Sequence, residues 1–552
     1  MNGTIFKWLI KRIHRSIPSI LLATFCSVLA SLSGVLFALG TKNIIDVAVS
    51  GNRDLFPRAC VMQALIILCI LLFNALLQHM KEKLHASLDR EWKQGLLHSL
   101  LISEYCCVSK FHSSELVNRL NNDVRVLDDA LVNLLPNLFS MITRLVAAFV
   151  ILTTLTPMFS LMLLAIGLVV ILMTGFLRRY LKELHKRVSE ADGRVSAILQ
   201  ETLEKLLAVQ AMGIAFEIER RTKTRLDDRF SIHCRRKNLS LMVSACINVL
   251  YYGAGFSALI FCCTGLLKGA ITFGTMTAVI QLVNQLQGPL VGLSGILPQY
   301  TAALAAAERI YELDSLPKPV HHRVDESQDI YAQLDCITAQ NLTFCYDQDL
   351  IFDRAHFSLS KGAFYVITGQ SGIGKSTLLK LLLGIYPPED NGGIYLQCGD
   401  KQIPIGSGTR HLFAYVPQGN LVFSGSIRDN LLVVNPNATD ADINRAVYVS
   451  AMDQYIKQLP DGLGTYIGEN GAGLSEGQIQ RLAIARAILV GAPILLLDEC
   501  TSALDASTET TVLTRLCELT DKTCIAVTHR EIPQNMYTAT LKLHNGKVVI
   551  QQ

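Results

Sequence analysis

Residues 17 to 40, IPSILLATFCSVLASLSGVLFALG, carry no charged side chain. As a helix, a run of about 24 residues spans roughly 36 Å, enough to cross the hydrocarbon core of a bilayer. Similar runs lie near 59 to 77, 134 to 155, 158 to 177, 243 to 266 and 275 to 297, so six spans are expected, the fourth following the third after a turn at Thr156-Pro157. Half of the residues are apolar and the mean hydropathy is positive, more than a soluble enzyme carries. The basic start, with Lys7, Lys11, Arg12 and Arg15, imitates a secretory signal peptide. The apolar run behind it is too long for one, so it is taken as a first span preceded by a short interfacial helix.

Two long polar segments separate spans two and three and spans four and five. They are rich in Lys and Arg, including Arg178, Arg179, Lys186, Arg187, Arg220 and Arg221, whereas the opposite loops are short and hold few basic residues. The positive-inside rule therefore places both segments and both termini in the cytoplasm. Net charge is only +4, and no stretch interleaves basic with aromatic residues, which excludes a nucleic-acid partner. The fifteen cysteines include vicinal pairs at Cys106-Cys107 and Cys262-Cys263 but no C-x-x-C, a pattern of small core residues in a reducing setting.

After residue 335 the pattern changes. Short β-branched runs such as FYVIT, ILLLD and CIAVTH alternate with helical stretches and glycine turns, the pattern of an α/β domain with a mostly parallel sheet. The fold class is thus a multi-domain membrane protein: an all-α six-helix transmembrane bundle with long cytoplasmic helices at 1–314, a linker at 315–334 and an α/β P-loop domain at 335–552.

The α/β half holds the chemistry. GQSGIGKST at 369 to 377 fits G-x-x-x-x-G-K-[ST], after a strand and before a helix. Gly369, Gly372 and Gly374, with Gln370, Ser371 and Ile373 between them, let the backbone turn its N–H groups toward phosphates. Lys375 would reach the terminal phosphates, and Ser376, followed by Thr377, would offer its hydroxyl to Mg2+. ILLLDE at 494 to 499 ends a buried strand in two acids, suited to a metal-holding Asp498 and a general-base Glu499. In GLSEGQIQRLAIARA, Ser475 and Gln478 form a capping box, and the helix they open would attract an anion.

With these three motifs in order, the chain resembles the ATP-binding cassette transporters, more closely their exporter-type half-transporters, in which six spans precede one nucleotide-binding domain. The resemblance implies an ATP hydrolase coupled to transport, with ATP and Mg2+ as cofactors. Tyr346 in FCY matches the aromatic that stacks on adenine, and Gln418 in VPQ the glutamine that senses the metal and the attacking water. YIGENG, with Glu469, is similar to an exporter cross-link loop. Asp505 in SALD matches the segment that touches the opposite site, and His529 matches the switch histidine at the γ-phosphate. ELVNRLNND at 115 to 123 resembles the first cytoplasmic loop, AAAERI at 305 to 310 the end of the sixth span, and coupling helices are expected near Tyr105 to His112 and Met212 to Glu217.

The family's mechanism implies a dimer in which Ser475, Glu476, Gly477 and Gln478 of one chain cap the ATP held by the other. A homodimer is the first expectation and a heterodimer the second. Glu476 stands where the family has glycine, so it either leans away from the nucleotide or weakens the composite site, as in heterodimeric exporters with one altered signature. Placement in the bacterial inner membrane and export of a lipid, an amphiphile or an unprocessed peptide also follow from the resemblance, with import on the same fold as the alternative. Six spans exclude a cassette ATPase acting on nucleic acid, and Glu499 with His529 argues against a channel gated without turnover. Gln281, Asn284, Gln285, Gly288, Gly292 and Gly295 share one face of the sixth span, a stripe that would line a pathway or pack against a neighbour, and Arg144 lies within the third, where it would either face the bundle interior, within reach of an acidic substrate group, or snorkel to the headgroups.

Overall fold

A computed structural model describes residues 3–318, 330–346, 349–388, 392–419, 422–468, 471–528, 530 and 532–551. Within these, the side chains at 162–182, 185–186, 189, 247, 535 and most of 287–298 lie outside the description. The chain forms two compact units, residues 1–101 with 112–315, and residues 102–111 with 316–552. Residues 319–329 of the expected linker are not among those described.

The first unit is helical. α1 (Gly3–Ile13), α2 (Ile17–Val49) and α3 (Phe56–Ile102) come first. The chain from Ser113 to Leu155 stays helical through π-type turns at Arg119–Asp123 and Ala130–Leu134, and helices Pro157–Glu204, Ala215–Leu267 and Phe273–Asp314 follow. Local chemistry sets the breaks. Thr156 is extended at φ −150° before Pro157, as the residue preceding a proline prefers, and Thr272 caps the last helix by accepting from the Thr275 N–H. Among the described residues, four segments are long and apolar enough to cross a membrane: 17–49, 56–102, 113–155 and 215–267. The expected run 158–177 falls on side chains outside the description, and in 275–297 the amides of Gln281, Asn284, Gln285 and Gln287 dilute the apolar pattern.

Small residues let these helices approach closely. Ala38, Ala148, Ala258 and Cys262 are fully buried beside Leu152, Val279 and Leu282. Two of the amides expected on the sixth span are used in packing: Gln285 donates to the Gly34 carbonyl at 2.8 Å, and Asn284 accepts from the Tyr251 hydroxyl at 2.8 Å. Gly292 lies against Met141, where a methyl group would collide. The two family-like segments of this unit meet directly: Arg309 of AAAERI makes a bidentate pair with Asp123 of NRLNND at 2.7 and 2.6 Å. Arg119 adds bonds to Glu115, Glu312 and the Arg309 carbonyl.

The second unit holds the strands. In chain order they are β1 (Cys336–Tyr346), β2 (Asp349–Ser360), β3 (Phe364–Thr368), β4 (Gly393–Cys398), β5 (Lys401–Pro404), β6 (Phe413–Val416), β7 (Gly425–Ser426), β8 (Tyr466–Ile467), β9 (Ile494–Asp498), β10 (Thr523–Val527), β11 (Ala539–His544) and β12 (Lys547–Gln551). Among the described residues β2-β1-β4-β5 form an antiparallel sheet, β12-β11-β3-β10-β9-β6 a second sheet, and β7 pairs with β8. From β11 to β6 every pairing in the second sheet is parallel. The runs FYVIT, ILLLD and TCIAV are buried almost end to end, as parallel strands covered on both faces must be.

Candidate nucleotide site

Open parallel sheets bind ligands at the carboxyl ends of their strands, and that edge gathers the expected residues. β3 leads into the loop Gly369–Gly374 and the helix Lys375–Leu382. Gly369, Gly372 and Gly374 take φ values of 154°, 81° and 107°, a region that side chains avoid. Gly374 also lacks room for a side chain, because a Cβ would stand 2.5 Å from Ile351 Cγ2. Lys375 is buried, and its ammonium donates to the carbonyls of Gly369 at 2.9 Å and Gln370 at 3.2 Å, which fixes it inside the loop. Ile373 packs against the core, Thr377 is buried, and Gln370 and Ser371 are exposed within the loop.

β9 delivers the acids. Asp498 is 1% exposed and accepts from the Ser376 hydroxyl at 2.9 Å and the Tyr415 hydroxyl at 3.1 Å. Burial raises its pKa, while those two hydrogen bonds act in the opposite direction. Burial and the neighbouring Asp498 likewise push the Tyr415 phenol upward. Glu499 has a left-handed backbone at φ 49°, an uncommon conformation for a residue with a side chain and one that clusters at functional sites. Its carboxylate accepts from Gln418 Nε2 at 2.7 Å, so the two residues expected to handle the water are already joined. Asp498 with the Ser376 hydroxyl beside it is a hard oxygen pair of the kind Mg2+ takes, and Gln418 reaches the same edge, so these residues fit the ion.

Tyr346 ends β1 in an aromatic group, with ring centroids 4.9 Å from Phe344 and 5.4 Å from Tyr386. Tyr386 also meets Tyr105 edge-on, and burial pushes its phenol up to about 12. Tyr105 opens the short helix Tyr105–Val108, inside the first expected coupling region, and the second region falls on the break between helices Leu206–Ala211 and Ala215–Leu267.

A second group forms around the helix Glu476–Leu489. Ser475 caps it reciprocally with Gln478, as the S-x-x-Q spacing predicts. Glu476 is exposed at its first position, with no ion pair among the described residues. Gly477 abuts the next loop, where a Cβ would stand 2.9 Å from the Ala503 carbonyl oxygen. Gln480 holds that loop by donating to Ser502 Oγ and accepting from the Ala503 N–H, each at 3.0 Å. Asp505 caps the helix Ala506–Cys517 through the Thr508 N–H, and the Ser507 and Thr508 bonds hold its carboxyl well below the usual range. Arg530 clamps the loop from behind, bonding Glu509, the Ser502 carbonyl and the Leu504 carbonyl. No hydrogen bond among the described residues joins this group to the phosphate loop. His529 and Glu469 lie outside the described residues.

Sequence reasoning missed Tyr415, Tyr386, Gln480, Glu509 and Arg530. Tyr415 had a signal, three residues ahead of Gln418 in AYVPQ, and Gln480 had one as the next polar residue of the capped helix.

Residues 20–290 match the ABC transporter transmembrane region and residues 352–502 the ABC transporter domain. An ATP-dependent lipid A-core flippase of Aliivibrio fischeri is 30% identical over 403 residues, covering 71% of this chain and 67% of that protein. A putative export ATP-binding/permease protein of Rickettsia felis is 27% identical across 91% of this chain and 88% of its own length. The mitochondrial iron-sulfur clusters transporter ATM1 of Yarrowia lipolytica is 29% identical over 62% of this chain, which spans about half (49%) of that relative. A bacterial Atm1-family ABC exporter solved with ATP bound shares the fold at a TM-score of 0.80, with 23% identity over 98% of this chain and 94% of that one. With a helical membrane unit, a phosphate loop, paired acids at β9 and a capped signature helix in one polypeptide, the chain belongs to the ATP-binding cassette transporters.

Proposed function

We propose that the chain is one half of an ATP-driven exporter in which each nucleotide site is built from two chains. The separation of the site residues into two faces, with no hydrogen bond among the described residues between the signature helix and the phosphate loop, carries this reading. Lys375, Ser376, Asp498, Glu499 and Gln418 form one face, and Ser475, Glu476, Gly477 and Asp505 form another around the helix Glu476–Leu489. A head-to-tail dimer would bring the second face of each chain onto the ATP of the other.

In that arrangement Tyr346 stacks on adenine, the loop 369–374 and Lys375 hold the phosphates, and Glu499 takes a proton from the water that Gln418 helps to orient. His529 would add positive charge at the γ-phosphate. Mg2+, held by Ser376 and Asp498 with Gln418 nearby, would neutralise phosphate charge. Domain boundaries at 314 and 335, six spans, cytoplasmic termini and placement in a bacterial inner membrane complete the reading. A homodimer is the working assembly, and the cargo is an amphiphile, a lipid or a peptide.

The decisive test uses the purified chain in nanodiscs. Vanadate-sensitive ATPase activity is expected, and Glu499→Gln should lower it by about a hundredfold or more while ATP binding and ATP-dependent dimerisation persist. Wild-type turnover in that variant would remove Glu499 from the mechanism.

A further inference from the structure

A cleft of about 710 Å³ opens in the membrane unit between α1, the turn that follows it and residues 88–98 of α3. Four permanent cations line it, Lys11, Arg12, Arg15 and Arg90, against two carboxylates, Glu91 and Asp314. Asp314 is already engaged, since it accepts from the Trp8 indole at 2.7 Å and the Ser99 hydroxyl at 2.6 Å. The cleft therefore keeps an excess of positive charge.

Arg12 is held in place without being satisfied. Its guanidinium lies 6.0 Å from the Trp92 ring centroid and rests on Gly95, where any Cβ would stand 1.9 Å from Nη2. That nitrogen is shut off from solvent and makes no hydrogen bond, the closest approach to Asp314 being 4.0 Å. The side chain as a whole is 33% exposed, so the rest of this guanidinium faces the cleft with no hydrogen-bonded carboxylate, and an oxyanion there would supply one.

The surroundings select the source of the oxyanion. α1 ends at Ile13 and the apolar run begins at Ile17, so Arg15 sits where the chain enters the expected bilayer. On the same short helix Phe6 and Ile10 are 50% and 41% exposed, an apolar face beside a cationic one. Free phosphate would use only the cations, whereas a phospholipid would use both faces.

We propose that this cleft binds the phosphate headgroup of an acidic phospholipid, with Arg12, Arg15 and Arg90 on the headgroup and Phe6 and Ile10 against its acyl chains. The cleft is lined by residues of the membrane unit alone and its test reads lipid binding, so the test does not depend on transport. The full chain is purified in detergent, stripped of lipid and titrated with phosphatidylglycerol, phosphatidylcholine or inorganic phosphate, with thermal shift and native mass spectrometry as readouts. Phosphatidylglycerol should bind and raise the melting temperature, and the other two should not. R12Q/R15Q/R90Q should weaken that binding by at least about tenfold, while the charge-matched control R187Q/R220Q/R221Q keeps it. Gly95→Ala, which displaces Arg12 without changing charge, should weaken it as well, and it decides the matter if the triple variant does not fold. Equal loss in both triple variants, no effect of Gly95→Ala, or an equal shift with inorganic phosphate would each overturn the proposal.

Discussion

Glu476 places a carboxylate at the first position of a capped helix, exposed and unpaired among the described residues. The helix dipole favours that charge, yet a phosphate approaching the same end is repelled by it. Glu476→Gly should therefore raise ATPase activity and lower KM for ATP, while melting drops by up to about 1 kcal/mol of stability. ATPase titrations in nanodiscs decide: unchanged kinetics would mean that the side chain leans away. Asp498 makes the opposite trade. Its folded pKa is raised by burial, so the stability it lends is greatest below the unfolded carboxylate pKa and is lost as pH rises through the raised value. Asp498→Asn should accordingly raise the melting temperature at neutral pH while abolishing hydrolysis, and calorimetry with or without a pH series would detect it. Lys375, Ser376, Asp498 and Glu499 are legible in the sequence because their chemistry is local, a glycine turn or a strand end. The place of Tyr415 beside VPQ is legible but its partner is not, since it reaches Asp498 across 83 residues through the pairing of β6 with β9.

Among elements, the pairing of Arg309 with Asp123 links the last helix of the membrane unit to a π-type turn 186 residues earlier. Asp123 is 6% exposed in its side chain, so removing its partner strands a nearly buried charge, although the 47% exposure of Arg309 moderates the loss. Arg309→Met should cost about 2 kcal/mol, and Asp123→Asn added to it should cost little more, a double-mutant cycle read by thermal denaturation. Additive losses would show that the two residues act separately. Helix ends were readable where a cap or proline marks them, as at Ser475 and Pro157. The π-type turns were not, because they answer to packing between helices rather than to any residue that announces them.

At the scale of the whole molecule, two kinds of solvent shape one chain. Apolar runs declare the membrane half by length alone, whereas the cassette half is declared by motifs whose partners lie far apart. All fifteen cysteines are free thiols, and burial pushes those of Cys500 and Cys524 up to about 12, where they are inert. Melting temperature should be the same with and without dithiothreitol, and a fall on reduction would reveal a cross-link. The loop from Glu499 to Leu504 has a consequence for timing. In the proposed dimer, one end would carry the base that takes a proton from the attacking water at the chain's own nucleotide, and the other is fastened by Gln480 to the helix that would cap a partner's nucleotide. There a stroke at one site would tug on the grip at the other, and successive turnovers would keep a memory of one another. Their waiting times, followed one molecule at a time, would be correlated rather than random.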